Sequence, residues 1–168
     1  MTDLKPATTP DDCKTLASLA DRIWREHYIP IIGKPQVDYM LRTFQSEAAI
    51  ARQISEGMAY YLIYSGHSPA GYFAFEKQGD DLFLSKIYVA REYRGKGLGK
   101  ASMAYIREQA RLQHCKRITL TVNKDNSDSI NAYKRMGFYQ EAATIKDIGE
   151  GFIMDDYLMV LDLETAGT

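Results

Sequence analysis

The stretch Leu82 to Lys100, LFLSKIYVAREYRGKGLGK, constrains this chain more than any other. Its apolar run, Leu82-Phe83-Leu84 and then Ile87-Tyr88-Val89, reads as a buried strand. A basic, glycine-rich turn follows: Arg94-Gly95-Lys96-Gly97-Leu98-Gly99-Lys100. Leu98, Ala101, Ser102, Tyr105, Ile106, Gln109 and Leu112 then recur three and four apart, which predicts a helix. Strand, glycine turn and helix together suit an anion. The first N–H groups of a helix have no intrahelical partner, and the dipole adds partial positive charge there. Glycines let the backbone come close and take positive φ. Arg94, Lys96 and Lys100 supply full charges. The plainer alternative is a glycine-rich helix cap with nothing bound.

Spacing narrows the anion. A P-loop needs G-x-x-x-x-G-K-[S/T], but Ala101 follows Lys100 and Arg94 stands five positions before Gly99. A dinucleotide fingerprint needs G-x-G-x-x-G, whereas this turn is G-x-G-x-G. A nucleotide-phosphate protein therefore fits poorly. What the turn matches is R-x-x-G-x-G, as Arg94, Gly97 and Gly99. That pattern resembles the pyrophosphate-binding signature of the GNAT superfamily of N-acetyltransferases, which bind acetyl-coenzyme A.

A second motif lies downstream. Asn126, Ser129, Tyr133, Gly137 and Phe138 fall on N-x-x-(A/S)-x-x-x-Y-x-x-x-G-F, also similar to the GNAT pattern. Two motifs in this order are far more specific than either alone, and together they cover roughly Leu82 to Phe138. The resemblance implies an α/β fold: a mixed, mostly antiparallel central sheet flanked by helices, with the strand, glycine turn and helix as cofactor cradle. It also implies roles. The segment Ile87-Tyr88-Val89 would pair with the pantetheine arm through the backbone of Ile87 and Val89. The amides of Gly95, Lys96, Gly97, Leu98, Gly99 and Lys100 would hold the pyrophosphate, with Arg94 fixing the turn. Asn126 would bind the pantetheine side, and Tyr133 would lie by the thioester sulfur as catalytic acid. Spacing alone favours Tyr133 as a core tyrosine one turn after Ile130, and reads Asn126 as a turn or cap residue, a role compatible with the other.

The rest of the chain fits this layout. Asp3 to Ala7 reads as a short strand. Thr9 is a helix N-cap with Pro10 in the first turn, and the helix runs to about Tyr28 with Leu16, Leu19, Ala20, Ile23, Trp24 and His27 as its apolar stripe. Pro30, Gly33 and Pro35 predict a loop from Tyr28 to Lys34. A second helix, or a bent pair, spans about Gln36 to Glu56. Strands follow at Ala59 to Ser65, Ala70 to Glu76 and the central stretch. After the cradle helix, Lys116 to Asn123 alternates as a strand, Ser127 to Met136 is a helix, and Phe138 to Ile145 is a strand. Asp147-Ile148-Gly149-Glu150-Gly151 reads as a loop, Phe152 to Leu163 as a closing strand, and Glu164 to Thr168 as a frayed tail.

A length of 168 residues suits a single domain over 1–168. A net charge of −1 gives no case for nucleic acid or an anionic membrane as partner, and no apolar run is long enough to span a bilayer. The N-terminus has no signal layout, and Cys13 and Cys115 make no disulfide framework; both fit a cytoplasmic protein. His27, His67 and His114 are scattered, so no metal site is expected.

The expected reaction is acetyl transfer from acetyl-CoA to a primary amine, whether a small amine, a polyamine or a peptide amine, by direct attack in a ternary complex. The rival is a catalytically silent acyl-CoA-binding sensor or interaction module. Many relatives carry a carboxylate base on the central strand; here that strand offers Phe83, Ser85 and Lys86. Lys86 reads as an edge charge or ion-pair member. Asp155, Asp156 or Glu26, or a water, are the remaining choices of base. The segment Asp147 to Met159 looks like the corresponding part of bacterial polyamine-type and small-amine members. On a strand, Asp155 and Asp156 point to opposite faces, so at most one points inward. The superfamily also leads one to expect a homodimer.

Overall fold

In the computed structural model, which describes residues 2–163, the elements run β1 Thr2–Pro6, α1 Pro10–Ile32, α2 Lys34–Phe44, α3 Glu47–Ser55, β2 Ala59–Ser65, β3 Ser68–Gln78, β4 Asp81–Val89, a 3-10 turn Arg91–Tyr93, α4 Leu98–Leu112, β5 Arg117–Asn123, α5 Ser127–Arg135, β6 Tyr139–Gly149 and β7 Phe152–Asp162. The expected tail, Glu164 to Thr168, lies outside the described residues. The strands form a seven-stranded sheet in the order β1-β2-β3-β4-β5-β7-β6. The β1–β2, β2–β3, β5–β7 and β6–β7 ladders are antiparallel, and β4–β5 is parallel. This is the mixed, mostly antiparallel α/β sheet that the motifs imply.

The chain divides into two compact units. One takes in the chain up to Glu76 together with Lys86–Ile106; the other takes in Lys77–Ser85 and the chain from Arg107. In the first unit, α1 starts on a capping box: Thr9 Oγ1 accepts from the Asp12 N–H at 3.1 Å, and the Asp12 carboxylate accepts from the Thr9 N–H at 3.2 Å. Leu16, Ile23, Ile50, Leu62 and Ile63 are fully enclosed, each contributing about 1.5–3 kcal/mol by leaving water. The alternation of β2 and β3 sorts their aromatics. Tyr60 and Tyr72 stack on one face, where Trp24 of α1 donates its indole N–H to the Tyr72 hydroxyl at 2.9 Å. Tyr61, Phe73 and Phe75 stack on the other, against Tyr105 of α4.

One expectation needs correction in the first unit. Helix α1 continues past Tyr28 through Pro30 to Ile32, so the expected Tyr28–Lys34 loop is mostly helical. Proline costs that turn one donor, but the Gly33 N–H closes it on the Ile29 carbonyl at 2.9 Å, and the Tyr28 ring is held edge-on by Trp24 and Tyr88. Of the single helix or bent pair expected next, the structure has the pair, α2 and α3. The break falls at Gln45-Ser46, where the Ser46 hydroxyl caps α3 by accepting from the Ala49 N–H. The central strand also leads into a 3-10 turn, Arg91–Tyr93, that sequence did not suggest.

In the second unit, Arg117 at the start of β5 grips its register partner Asp81 with two hydrogen bonds, at 3.0 and 2.8 Å, and also reaches Glu141 at 3.1 Å. The guanidinium holds the Asp81 carboxyl below its ordinary range. The expected loop Asp147 to Gly151 is a tight hairpin. Strand β6 runs on to Gly149, which pairs with Phe152, and only Glu150 and Gly151 turn. Both take positive φ, 52° and 81°, as a two-residue hairpin turn requires.

Candidate active site

The first unit carries the strand end, glycine turn and helix start expected to form the cradle. Strand β4 ends at Val89; Ala90 is buried, and its N–H donates to the Ala70 carbonyl at 2.8 Å. Beside it, Gly71 is a residue that sequence reading passed over. A Cβ there would sit 2.2 Å from the Tyr88 carbonyl oxygen and 3.0 Å from the Val89 Cα. Only glycine lets β3 approach the end of β4 this closely, and an isolated glycine inside a strand pattern is the signal for such an approach.

Arg94 bends back so that its Nε donates to the Val89 carbonyl at 2.9 Å, tying the turn to the strand end. Gly95 and Gly97 take φ of 77° and 81°, and a Cβ at either, or at Gly99, would meet nothing within 4 Å. Buried Leu98 anchors the start of α4, where the Ala101 N–H bonds the Gly97 carbonyl at 3.0 Å and the Ser102 hydroxyl bonds the Leu98 carbonyl at 2.8 Å. Lys96 lies over the Tyr93 ring, and Lys100 is exposed on the first turn of α4. Ile87, Tyr88, Val89 and the whole of Arg94 to Lys100 thus lie on one strand–turn–helix segment. The β4–β5 ladder has three pairs and ends at Phe83↔Thr119, ahead of Ile87 and Val89.

Lys86 lies on β4 in the first unit. Its Nζ donates to the Tyr60 hydroxyl at 3.3 Å and lies 5.3 Å from that ring's centre, and burial lowers its pKa to about 8. Tyr60 belongs to a network that the sequence did not reveal. The Tyr60 hydroxyl donates to Gln53 Oε1 at 2.5 Å and accepts from Gln45 Nε2 at 3.1 Å. Gln45 Oε1 accepts from the Tyr72 hydroxyl at 2.7 Å. Burial pushes the Tyr60 phenol up to about 12. Tyr28 and Tyr88 hydroxyls meet at 3.0 Å beside this network.

The second unit carries the other motif. Strand β5 ends at Asn123, whose Oδ1 accepts from the Asp125 N–H at 2.9 Å, while its carbonyl accepts from the Asn126 N–H at 3.0 Å. Asn126 stands at the N-cap of α5 and is 3% exposed, yet its side chain makes no capping bond. Tyr133, two turns on, is half-buried with its ring 5.6 Å from Phe138. Of the suggested bases, Glu26 is exposed on α1 in the first unit. Asp155 is ion-paired to Lys124 at 2.6 Å. Asp156 is the inward one of the pair, 4% exposed, and burial with the neighbouring Asp155 charge raises its carboxyl to about 6 despite Lys124.

The strand, the Arg-anchored glycine turn and the start of α4 lie in the first unit, and the helix that carries Tyr133 after Asn126 lies in the second. The chain belongs to the acetyltransferase (GNAT) family, whose model matches residues 17–138. Spermine/spermidine N(1)-acetyltransferase of Bacillus subtilis (strain 168) is 40% identical over 58 residues, which is 34% of this chain and 38% of that protein. Thialysine N-epsilon-acetyltransferase of Sus scrofa is 32% identical over 78 residues, 46% of this chain and 40% of that one. The matched stretches thus span about two fifths of these relatives' lengths. In fold, the chain is similar to the PaiA N-acetyltransferase from Thermoplasma acidophilum, solved in complex with coenzyme A. The TM-score is 0.82 at 17% identity, covering 97% of this chain and 99% of that one.

Proposed function

We propose that this chain transfers an acetyl group from acetyl-CoA to a primary amine by direct attack in a ternary complex, as a single domain over 1–168. The observation that carries the reading is the Arg94-anchored glycine turn leading into α4. Its open φ > 0 glycines leave the amides of Gly95 to Lys100 for a pyrophosphate, with Lys96 and Lys100 adding charge. The backbone of Ile87 and Val89, beyond the end of the β5 ladder, is the edge on which a pantetheine arm would add as a strand. Asn126, buried and not spent on capping, is the residue we assign to the pantetheine side in the second unit.

Acetyl-CoA supplies an activated thioester carbonyl. The Val89 N–H donates to that carbonyl oxygen as negative charge builds on it, and Gly71 fixes this piece of backbone. Tyr133 gives its hydroxyl proton to the departing sulfur. The acceptor is a cationic amine of small-molecule or peptide origin. The spermine/spermidine and thialysine enzymes among the relatives support small amines, and the inward Asp156 supports a cation. No helix among the described residues is long and apolar enough to cross a membrane, and Cys13 and Cys115 are buried free thiols, which supports a cytoplasmic location. A homodimer would use a strand edge; β6, at one end of the strand order with Ile145 exposed, is the one we favour, and sedimentation velocity decides.

The test is acetyl-CoA turnover, followed as thiol release, over polyamines, amino acids, aminoglycosides and lysine- or N-terminus-bearing peptides. Turnover peaking on one class is expected. Tyr133→Phe is expected to keep coenzyme A binding and lose about 10²–10⁴ in turnover; unchanged turnover removes the acid role. Silence across the panel, with acetyl-CoA still raising the melting temperature, points to a binding module.

A further inference from the structure

Asp156 is a buried carboxylate without a partner. Among the described residues it accepts no hydrogen bond and forms no ion pair, although it is 4% exposed. A carboxylate left this way costs free energy, so proteins ordinarily pair it or give it N–H donors. None of its neighbours supplies the partner. Lys124, the cation nearest in sequence on the facing strand end, is bound to Asp155 at 2.6 Å. Its ammonium also lies over the Tyr157 ring. Asn123, directly across the β5–β7 ladder, accepts the Asp125 N–H on its side-chain oxygen, and no hydrogen bond from its NH2 group to Asp156 is present among the described residues. Across the β6–β7 ladder the opposite residue is Thr144, uncharged, with the exposed Lys146 two positions along. On its own strand the neighbouring charge is Asp155.

The position is as telling as the lack of a partner. Asn123 pairs with Asp156, and the Asn123 carbonyl receives the Asn126 N–H; the Lys124 N–H donates to the Asp155 carbonyl at 3.1 Å. The strand end that carries Asp156 is therefore stitched to the loop that carries Asn126 and opens the Tyr133 helix. We propose that Asp156 is the general base that takes the proton from the acceptor's ammonium group, the partner missing in the free protein being the substrate cation. The inference rests on the acetyl-transfer reading and fills the role that β4 leaves empty.

The step balances. R–NH3⁺ gives one proton to the Asp156 carboxylate, which becomes the neutral acid. The freed amine nitrogen bonds to the acetyl carbon as the C–S bond breaks. The nitrogen's surplus proton leaves as the sulfur takes one from Tyr133, which is restored by it, and Asp156 returns its proton to water. Ammonium and thioester give amide, thiol and one proton. With its carboxyl raised to about 6, Asp156 is still ionised at neutral pH and is a stronger base than an ordinary aspartate.

The test is kcat/KM against pH from about pH 5 to 9, using the amine with the highest turnover in the panel, for the wild type, Asp156→Asn and Asp156→Glu. The wild type is expected to lose activity below an apparent pKa of about 6. Asp156→Asn is expected to fall by about 10²–10⁴ and lose that acid limb, while acetyl-CoA still raises its melting temperature as in the wild type. Asp156→Glu keeps a carboxylate and is expected to keep the limb at reduced rate. If Asp156→Asn binds acetyl-CoA, works within about threefold of the wild type and keeps the limb, the assignment is overturned while acetyl transfer stands. Wild-type silence on every amine overturns both, and is told apart by that silence.

Discussion

In the first unit, Gln45 is 2% exposed and its amide is fully used: Oε1 accepts from Tyr72, and Nε2 donates to Tyr60 and to the Phe44 carbonyl at 2.7 Å. Trp24, Tyr72, Tyr60, Gln53 and Lys86 complete a chain in which each hydroxyl both gives and receives. In the second unit, Asn126 and Asp156 are as deeply buried, and neither side chain has a hydrogen-bond partner among the described residues. Both regions bury polar groups, but only the first satisfies them from within. A saturated network stiffens the packing of α1, α2 and α3 on the sheet. The groups without a protein partner in the second unit lie at a motif position, Asn126, and at the ladder partner of Asn123, Asp156.

Variants separate the two regions. The largest stability loss is expected from Gln45→Leu, which orphans the Tyr72 hydroxyl proton and weakens the satisfaction of Tyr60 and Phe44. At ~1–3 kcal/mol per orphaned buried group, the total is about 3–5 kcal/mol by urea denaturation. Asp156→Asn is expected to act in the opposite direction. The folded protein holds this carboxyl at about 6 against 3.8 for an ordinary aspartate. A raised folded pKa means stability is lost as pH rises from about 4 to 6. The variant escapes that loss, so it should match the wild type below pH 4 and exceed it above pH 6 by up to ~3 kcal/mol. A variant less stable than the wild type at pH 8 breaks the contrast. The smallest effect belongs to Asn126→Leu. Without ligand it should be within about 1 kcal/mol of the wild type, because no internal bond is lost. A loss like that of Gln45→Leu would mean the amide has a structural partner after all.

How far the sequence carried the reading follows the range of the interactions. Strand β4, the glycine turn and α4 were legible because the apolar run, the turn glycines and the helical period are all local; the helix bounds of Leu98 and Leu112 are where the periodicity put them. The family followed from two local motifs, one on that stretch and one from Asn126 to Phe138. Pro30 misled because its local penalty is offset by Trp24, Tyr28 and Tyr88, residues brought together from α1 and β4. The bent pair was among the expectations, but the position of its break at Gln45 was not legible, because that side chain turns inward to tyrosines on β2 and β3. The tyrosine network depends on the register Leu62↔Tyr72, which no single strand reveals. The alternation of β7 showed that only one of Asp155 and Asp156 could face inward; choosing Asp156 needed the β5 register. The Asp147–Gly151 stretch looked like a loop because two-residue hairpins favour Asn or Gly, and here Glu150 takes the first positive φ.

The most direct measurement is a calorimetric titration of acetyl-CoA into the wild type and Asn126→Leu. Binding by the wild type, weakened about tenfold in the variant at nearly unchanged stability, is the predicted result, since one hydrogen bond is worth ~0.5–1.5 kcal/mol. Equal affinity in both proteins, or no binding by the wild type, would contradict the claim that the unsatisfied polar groups of the second unit are kept for the ligand.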